Sequence, residues 1–452
     1  MANRVFILNL RLKWLAASAL LVFAVIQANA QQPIDFVPAR QIREHSLPSG
    51  YPARPSLPVA SSVPIEPLGF SPPGPFYLGE QNSMASLDFI DDDRLLFTFR
   101  VPGLIHRQLK TGETPAEDER QIRAVVIKLP EGTVESDAFW PVHDRERYLW
   151  MLKDGRFLLR DQNNLFEGDA QLQLKPLLKF PGLLLMVELD PSQQFLVSNS
   201  LEPEQAQANA GAADSSSATS AGVTIGQTPG DPTQQDQQKQ QNYVVRILRS
   251  QTGQVMLVSR SRATVHLPIS PEGYLENLPG RGDQWMLNLH YYSGGSHLLG
   301  NVESFCQPND VFISASVILA TGCDHSGATR LVAITTAGKT LWDDLVPSTA
   351  VRPVMQVSSD GKLLAQETIA LSHSVIENAP LGVDDIKGQM VRVFNAATGE
   401  VVFESPLSPV LDAGGNVAVS PSGRRLALLN AGAIQVFALP AQAEKTGNSA
   451  GH

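Results

Sequence analysis

Between Val391 and Pro440, apolar residues fall on alternate positions in a series of short runs: Val391/Val393, Val401/Phe403, Val417/Val419, Leu426/Leu428 and Ile434/Val436. A period of two gives each run one face for a core and one for its surroundings, the pattern of a half-buried strand. The runs are separated by Thr398-Gly399, Ser420-Pro421-Ser422-Gly423 and Asn430-Ala431-Gly432, residue types that accept tight-turn dihedrals. The stretch reads as a four-stranded antiparallel meander, the repeating unit of a β-propeller blade.

Weaker copies lie upstream. In SLDFIDDDRLLFTFRV, Leu87 and Phe89, then Leu95, Phe97 and Phe99, alternate across the turn Asp91-Asp92-Asp93. Comparable turns stand at His143-Asp144-Arg145, Asp190-Pro191-Ser192, Ser270-Pro271-Glu272-Gly273, Gln307-Pro308-Asn309-Asp310, Ser359-Asp360-Gly361 and Ser420-Pro421-Ser422-Gly423. Once one long insertion is discounted their spacing averages about 48 residues, close to a propeller-blade period. A second hairpin signature, centred on Gly, runs at a different phase: ILRSQTGQVMLV, VAITTAGKTLW, VFNAATGEVVF and a truncated copy at Leu109–Glu113. Two alternating hairpins are what four strands per blade require. The expected fold is all-β, a propeller of seven four-stranded blades over residues 82–440.

Three segments break the pattern. Residues 202–241 carry no aromatics and only Val223 and Ile225 as larger aliphatics, so they are expected to form a disordered inserted loop. Residues 31–81 are proline-rich and read as an extended arm, either a flexible spacer or a strap pinned by Phe70, Phe76 and Tyr77. Residues 441–452 read as a flexible tail. Ahead of the arm, Arg4, Arg11 and Lys13 precede an apolar run, Trp14–Ile26, and Ala28-Asn29-Ala30 forms an A-x-A cleavage site. Residues 1–30 are therefore expected to be a signal peptide, giving a mature start at Gln31 in the periplasm or outside the cell. No membrane insertion is expected after cleavage.

Cleavage moves the formal net charge from −10 to −13. That balance argues against nucleic acid or an anionic membrane, both of which need concentrated Lys and Arg. The two cysteines, Cys306 and Cys323, read as a disulfide in an exported chain, closing a short loop worth about 3 kcal/mol. His325 keeps a Cys/Cys/His metal site as the alternative, although C-x-x-C spacing is missing.

At VSSDGKLLAQE and VSPSGRRLALL the chain resembles the broad WD40-like, YVTN-like and quinoprotein-like propeller group of exported bacterial proteins. AITTAGKTLWDD is similar to the T-G-K-x-x-W turn of pyrroloquinoline-quinone propellers, with Ala337 where the group has Thr. Phe403 and Leu257 replace Trp342 in the other copies, so the regular tryptophan docking of a quinone enzyme is missing. The resemblance implies a fold and not an activity, because the group hosts enzymes, binding modules and scaffolds.

The most chemically suggestive stretch is HYYSGGSHLLG, holding His290, Tyr291, Tyr292, Ser296 and His297. A hydrolase would place its Ser in G-x-S-x-G, and G-G-S-H-L fails at the last position; Gly294-Gly295 also reads as a hairpin turn. His143, between Trp140 and Trp150, is a further ligand candidate, with inter-blade packing of the aromatics as its competitor. Asp88 with Asp91–Asp93 lacks the order of a calcium loop and reads as a solvated turn. No motif calls for a cofactor or metal. The expectation is a monomeric binding or interaction module of the cell envelope, its ligand an unidentified protein or small molecule. The alternative is a quinone-dependent dehydrogenase component or a hydrolase.

Overall fold

The computed structural model describes residues 57–71, 84–101, 120–143, 147–202, 242–373, 383–408, 410–411 and 415–440, all within the compact unit Pro55–His452. The signal segment, residues 203–241, the tail, Phe76, Tyr77 and the Leu109–Glu113 turn lie outside the described residues.

The described chain begins with β1 (Val59–Pro64) and then forms seven antiparallel sheets in sequence order. Blade 1 holds β2 (Ser86–Asp91), β3 (Arg94–Arg100), β4 (Arg120–Lys128) and β5 (Thr133–Val142). Blade 2 holds β6 (Leu149–Met151), β7 (Phe157–Asp161), β8 (Asn164–Gly168) and β9 (Leu174–Lys179). Blade 3 holds β10 (Leu183–Leu189), β11 (Phe195–Glu202), β12 (Asn242–Arg249) and β13 (Val255–Ser261). Blade 4 has three strands, β14 (Gly273–Pro279), β15 (Gln284–Tyr291) and β16 (Ser296–Glu303). Blade 5 holds β17 (Asn309–Ser314), β18 (Val317–Cys323), β19 (Thr329–Thr335) and β20 (Thr340–Val346). Blade 6 holds β21 (Ala350–Val357), β22 (Leu363–Leu371), β23 (Ile386–Asn395) and β24 (Val401–Leu407). Blade 7 holds β25 (Val417–Val419), β26 (Arg425–Asn430) and β27 (Ala433–Ala438). Its outermost strand is β1, antiparallel to β27 with Val63 opposite Ile434.

The fold is thus a seven-bladed β-propeller, with three differences from the sequence expectation. The Val391–Pro440 meander is not one blade: β23 and β24 end blade 6, and β25 to β27 begin blade 7. Period-two alternation continues across the step between sheets, so it cannot mark the boundary. Blade 4 lacks a full innermost strand because Pro268 has no N–H for a ladder. The segment before β14 keeps one bridge, Ile269 with Tyr274, with backbone bonds from Leu275 N to the Pro268 carbonyl oxygen (2.9 Å) and from Ser270 N to the Gly273 carbonyl oxygen (2.7 Å). The proline-rich stretch, finally, contributes β1 to the ring. An edge strand tolerates proline, and Pro64 ends this one.

The S-P-x-G turns recur for a visible reason. Ser358, Ser420 and Asp190 each accept a backbone N–H five residues on, from Leu363 (2.9 Å), Arg425 (3.0 Å) and Phe195 (2.7 Å). The residue three on is left-handed in all three turns: Gly361 at φ 69°, Gly423 at 67° and Gln193 at 62°. These turns join the innermost strand to the second, as do Asp91–Asp93 and Ser270–Gly273. The other two expected turns serve a different purpose: His143 follows β5, and Gln307–Asp310 leads from β16 into β17, so both belong to connections between blades.

Seven clusters of buried apolar residues occupy the seven junctions between adjacent blades. The junction that closes the ring joins Leu87, Phe97 and Phe99 of blade 1 to Ala427, Leu429 and Val436 of blade 7. Val63, Ile65, Leu68 and Phe70 of the N-terminal segment fill it, with Phe70 edge-on to Phe97 and Phe99 at 5.3 Å each. Arg123 donates to the Leu68 carbonyl oxygen (2.6 Å), fixing the segment from the side.

One polar group is sealed between blades 6 and 7. Glu367 is 1 % exposed; Gln389 Nε2 donates to its Oε1, and its Oε2 has no partner. Gln389 Oε1 accepts from Leu411 N and Asn416 Nδ2, both at 2.9 Å. Burial pushes the Glu367 carboxyl up to about 8, outweighing the lowering effect of the Gln389 hydrogen bond.

Between pH 4.5 and about 8 the folded chain therefore keeps a proton that the unfolded chain has released, and stability falls as pH rises through that window. Thermal unfolding across this range should show Glu367→Gln flattening the fall, with its gain largest above pH 8. A variant that keeps the wild-type slope would contradict this. Val63, 3 % exposed, tests the closing strand. Val63→Asp should cost about 3 kcal/mol or more in denaturant unfolding, because it buries an unpaired charge at the last junction.

Candidate functional site

The innermost strands surround a central channel of about 670 Å³. Every blade contributes to its wall: Asp88, Met151, Glu188, His266, Asp310, Met355 and Val419 come from blades 1 to 7 in turn. Apolar groups such as Pro268, Val311 and Phe312 alternate with charged ones.

The charged groups of the wall run from blade 1 to blade 5. On blade 1, Ser86 Oγ donates to Asp88 (2.5 Å), and burial raises that carboxyl against the lowering effects of Ser86 and Arg147. Arg147, just ahead of β6, donates from Nε to the Leu149 carbonyl oxygen (3.1 Å) and lies over the Trp150 ring at 5.6 Å. It is packed about by protein yet open to the channel, and burial lowers its pKa against the charges of Asp88 and Glu188. Arg160 of β7 donates from Nη1 to the Leu185 carbonyl oxygen.

The series continues into blades 4 and 5. Glu188 meets His266 Nδ1 at 2.5 Å, and His266 Nε2 lies 2.5 Å from the Asp310 carbonyl oxygen. With an acceptor at each nitrogen, the geometry favours the doubly protonated ring. Burial works against that imidazolium, but Glu188 and the Asp310 carbonyl outweigh it and the His266 pKa is raised. Neither nitrogen is left to take a proton from a nucleophile. Asp310 is 1 % exposed and neither oxygen of its carboxyl has a partner. The neighbouring Asn277 spends its Nδ2 on the Pro308 carbonyl oxygen (2.8 Å), and its own Oδ1 is also unpartnered. Burial pushes Asp310 up to about 6, with Asn277 and His266 pulling the other way.

None of the six residues singled out from sequence lines this channel. His143 Nδ1 and its backbone N both meet Asp161 at 2.9 Å. Trp140 packs on Phe157 at 5.5 Å between blades 1 and 2, and Trp150 is buried between blades 2 and 3. His290 stacks on Tyr274 at 4.9 Å and bonds Glu276 through Nε2 (2.7 Å). Tyr291 and Tyr292 lead into the hairpin between β15 and β16, where Gly294 and Gly295 take φ of 97° and 84°. Ser296 and His297 follow it, exposed, at the start of β16. The Tyr292 ring lies against Phe195 at 5.1 Å, and burial raises its pKa. The stretch holds no serine–histidine pair among the bonds of the described residues.

Cys306 and Cys323 form a disulfide with Cα atoms 5.4 Å apart, and His325 Nε2 bonds Asp283 instead (2.7 Å). Both thiols are thereby removed as metal ligands. The acidic run is dispersed: Asp91 pairs with Arg94 (2.7 Å), while Asp92 and Asp93 meet Arg425 of blade 7. The quinone-like turn docks once. Trp342 donates to the Ala396 carbonyl oxygen (2.8 Å) and covers Gly399, where a Cβ would lie 2.7 Å from the indole.

Sequence reasoning missed Arg147, Glu188, His266 and Asp310. They lie on different blades, so no local motif unites them. The available signal was positional: Asp88 and Glu188 stand a few residues before the aligned hairpin turns, on innermost strands.

No protein family and no curated protein matches the chain by sequence. Among solved structures it is similar to the acylaminoacyl peptidase of Pyrococcus horikoshii, with 10% identity and a TM-score of 0.46 over 78% of this chain and 50% of that one. The chain thus spans half the length of that peptidase. The C-terminal WD40 domain of Sif2 has 9% identity and a TM-score of 0.40, over 85% of this chain and 99% of that domain. The propeller domain of the Trilobed protease of Pyrococcus furiosus has 10% identity and a TM-score of 0.41, over 80% and 95%. Similarity at these identities concerns the fold alone.

The pairing of Glu188 with His266 makes a spectroscopic prediction. The His266 imidazole should titrate by NMR above the usual value of 6.5, and Glu188→Gln should move it downward. An unchanged titration in that variant would remove Glu188 as the partner.

Proposed function

We propose that this protein is an exported binding module of the cell envelope that receives a small polar ligand in its central channel. The observation that carries the reading is the channel wall itself, to which all seven blades contribute and which keeps Asp88, Arg147, Glu188 and His266 open to water. A cavity of this size with a few converging polar groups on an apolar wall is the usual form of a small-molecule site. Export rests on the N-terminal signal pattern, supported by the Cys306–Cys323 disulfide. The binding role is favoured over hydrolysis because His266, the histidine of the channel, has both nitrogens engaged.

Native mass spectrometry of the protein purified from its own envelope tests the reading. The expected species begins at Gln31, has no free thiol, and carries a small molecule that is released chemically unchanged. Recovery from the cytoplasm with Met1 in place, or release of a converted product, would contradict it.

A further inference from the structure

Three charged groups on consecutive blades face the channel without meeting one another. Asp88 stands on the innermost strand of blade 1 and Glu188 on that of blade 3; Arg147, just ahead of the innermost strand of blade 2, comes between them. Arg147 feels the charge of both carboxylates, yet it forms no ion pair with either among the described residues. Its guanidinium is held from behind, by Nε on the Leu149 carbonyl oxygen (3.1 Å) and by the Trp150 ring at 5.6 Å. Both Nη groups are left without a described partner, on an exposed residue that lines the channel. The carboxylates each keep one oxygen within reach of a ligand. Asp88 takes the Ser86 hydroxyl on Oδ2 (2.5 Å), and Glu188 takes His266 on Oε1 (2.5 Å). Asp88 Oδ1 and Glu188 Oε2 are neither bonded nor sealed from solvent, unlike the two carboxyl oxygens of Asp310. With His266 protonated the four charges cancel, so this wall suits a ligand that carries both signs better than a bare anion or cation.

We propose that the channel wall of blades 1 to 3 binds a free amino acid as its zwitterion, with the carboxylate on the Nη groups of Arg147, the ammonium on Asp88 Oδ1, and Glu188 Oε2 as a further acceptor. The assignment rests on the binding-module reading and adds the chemistry of the ligand. The parallel N–H groups of a guanidinium match the two oxygens of a carboxylate. Asp88 takes the ammonium because Glu188 already has a cationic partner in His266. Burial raises the Asp88 carboxyl, and a bound ammonium supplies the opposite charge that holds it ionised. Met151 and Met186, half-buried in the same wall, give the side chain an apolar and adaptable surface. A sugar is disfavoured because the aromatic rings of the lining, Phe89, Trp150 and Phe312, are all buried and offer no open face for stacking.

The test is calorimetric titration at pH 7.5 with L-norvaline and its two halves: pentanoate, which lacks the ammonium, and n-butylammonium, which lacks the carboxylate. L-Norvaline should bind saturably at one site, and each half about tenfold or more weakly. Asp88→Asn keeps an oxygen for the Ser86 hydroxyl and should fold; it should bind L-norvaline about tenfold or more weakly and pentanoate no worse than wild type does. Arg147→Lys keeps the charge without the paired N–H groups and should weaken L-norvaline and pentanoate alike, with butylammonium unaffected. Should Arg147→Lys not fold, Asp88→Asn decides alone. Wild-type affinity for L-norvaline in either folded variant, or no binding by wild type, overturns the proposal. Pentanoate binding as tightly as L-norvaline overturns it too, yet leaves a binding channel standing, so the two readings fail separately.

Discussion

Apolar packing between neighbouring blades is the interaction on which everything else in this ring depends. A single four-stranded sheet with two apolar faces cannot bury either face alone, and here each junction buries one face from each of two blades. Seven sheets need seven junctions, and the seventh exists only if the ends of the chain meet. β1 accomplishes this by pairing with β27, and the residues after it fill the last junction from Val63 to Phe70. Closure also removes the β27 edge that an open fan would present to solvent.

Closure creates the channel as a by-product, and the channel is where the sequence departs from apolar economy. Charged residues sit on the innermost strands although the same strands send Leu87, Phe89, Val187 and Phe312 into the junctions. Most of these charges are paired or hydrogen-bonded. Asp310 is the exception, and Glu367 between blades 6 and 7 is its counterpart away from the channel. Both carboxyls are pushed up by burial, and the difference is place: Glu367 is enclosed by Gln389, Leu411 and Asn416, whereas Asp310 belongs to the cavity wall.

The fold was legible because its signals are local. Period-two runs and the Ser-capped turns before Leu363 and Arg425 repeat with enough fidelity to give the blade and its number. What escaped was set by contacts distant in sequence. β1 was hidden because Pro58 and Pro64 argue against a strand, and only pairing with a partner hundreds of residues away makes one. The candidate site escaped for the same reason: Glu188, His266 and Asp310 approach only after three blades have packed. HYYSGGSH, by contrast, concentrated reactive residue types in one place, and its composition suits a hairpin whose His290 is held by Tyr274 and Glu276.

Ring closure by β1 is the central claim, and amide hydrogen exchange on the mature protein beside a version lacking residues through Pro64 tests it most directly. The account predicts that protection is lost together in β27, β26 and the blade 1 strands that share their junction, while blades 3 to 5 lose less. Unchanged protection of β27 in the shortened chain would show that the ring does not depend on this strand.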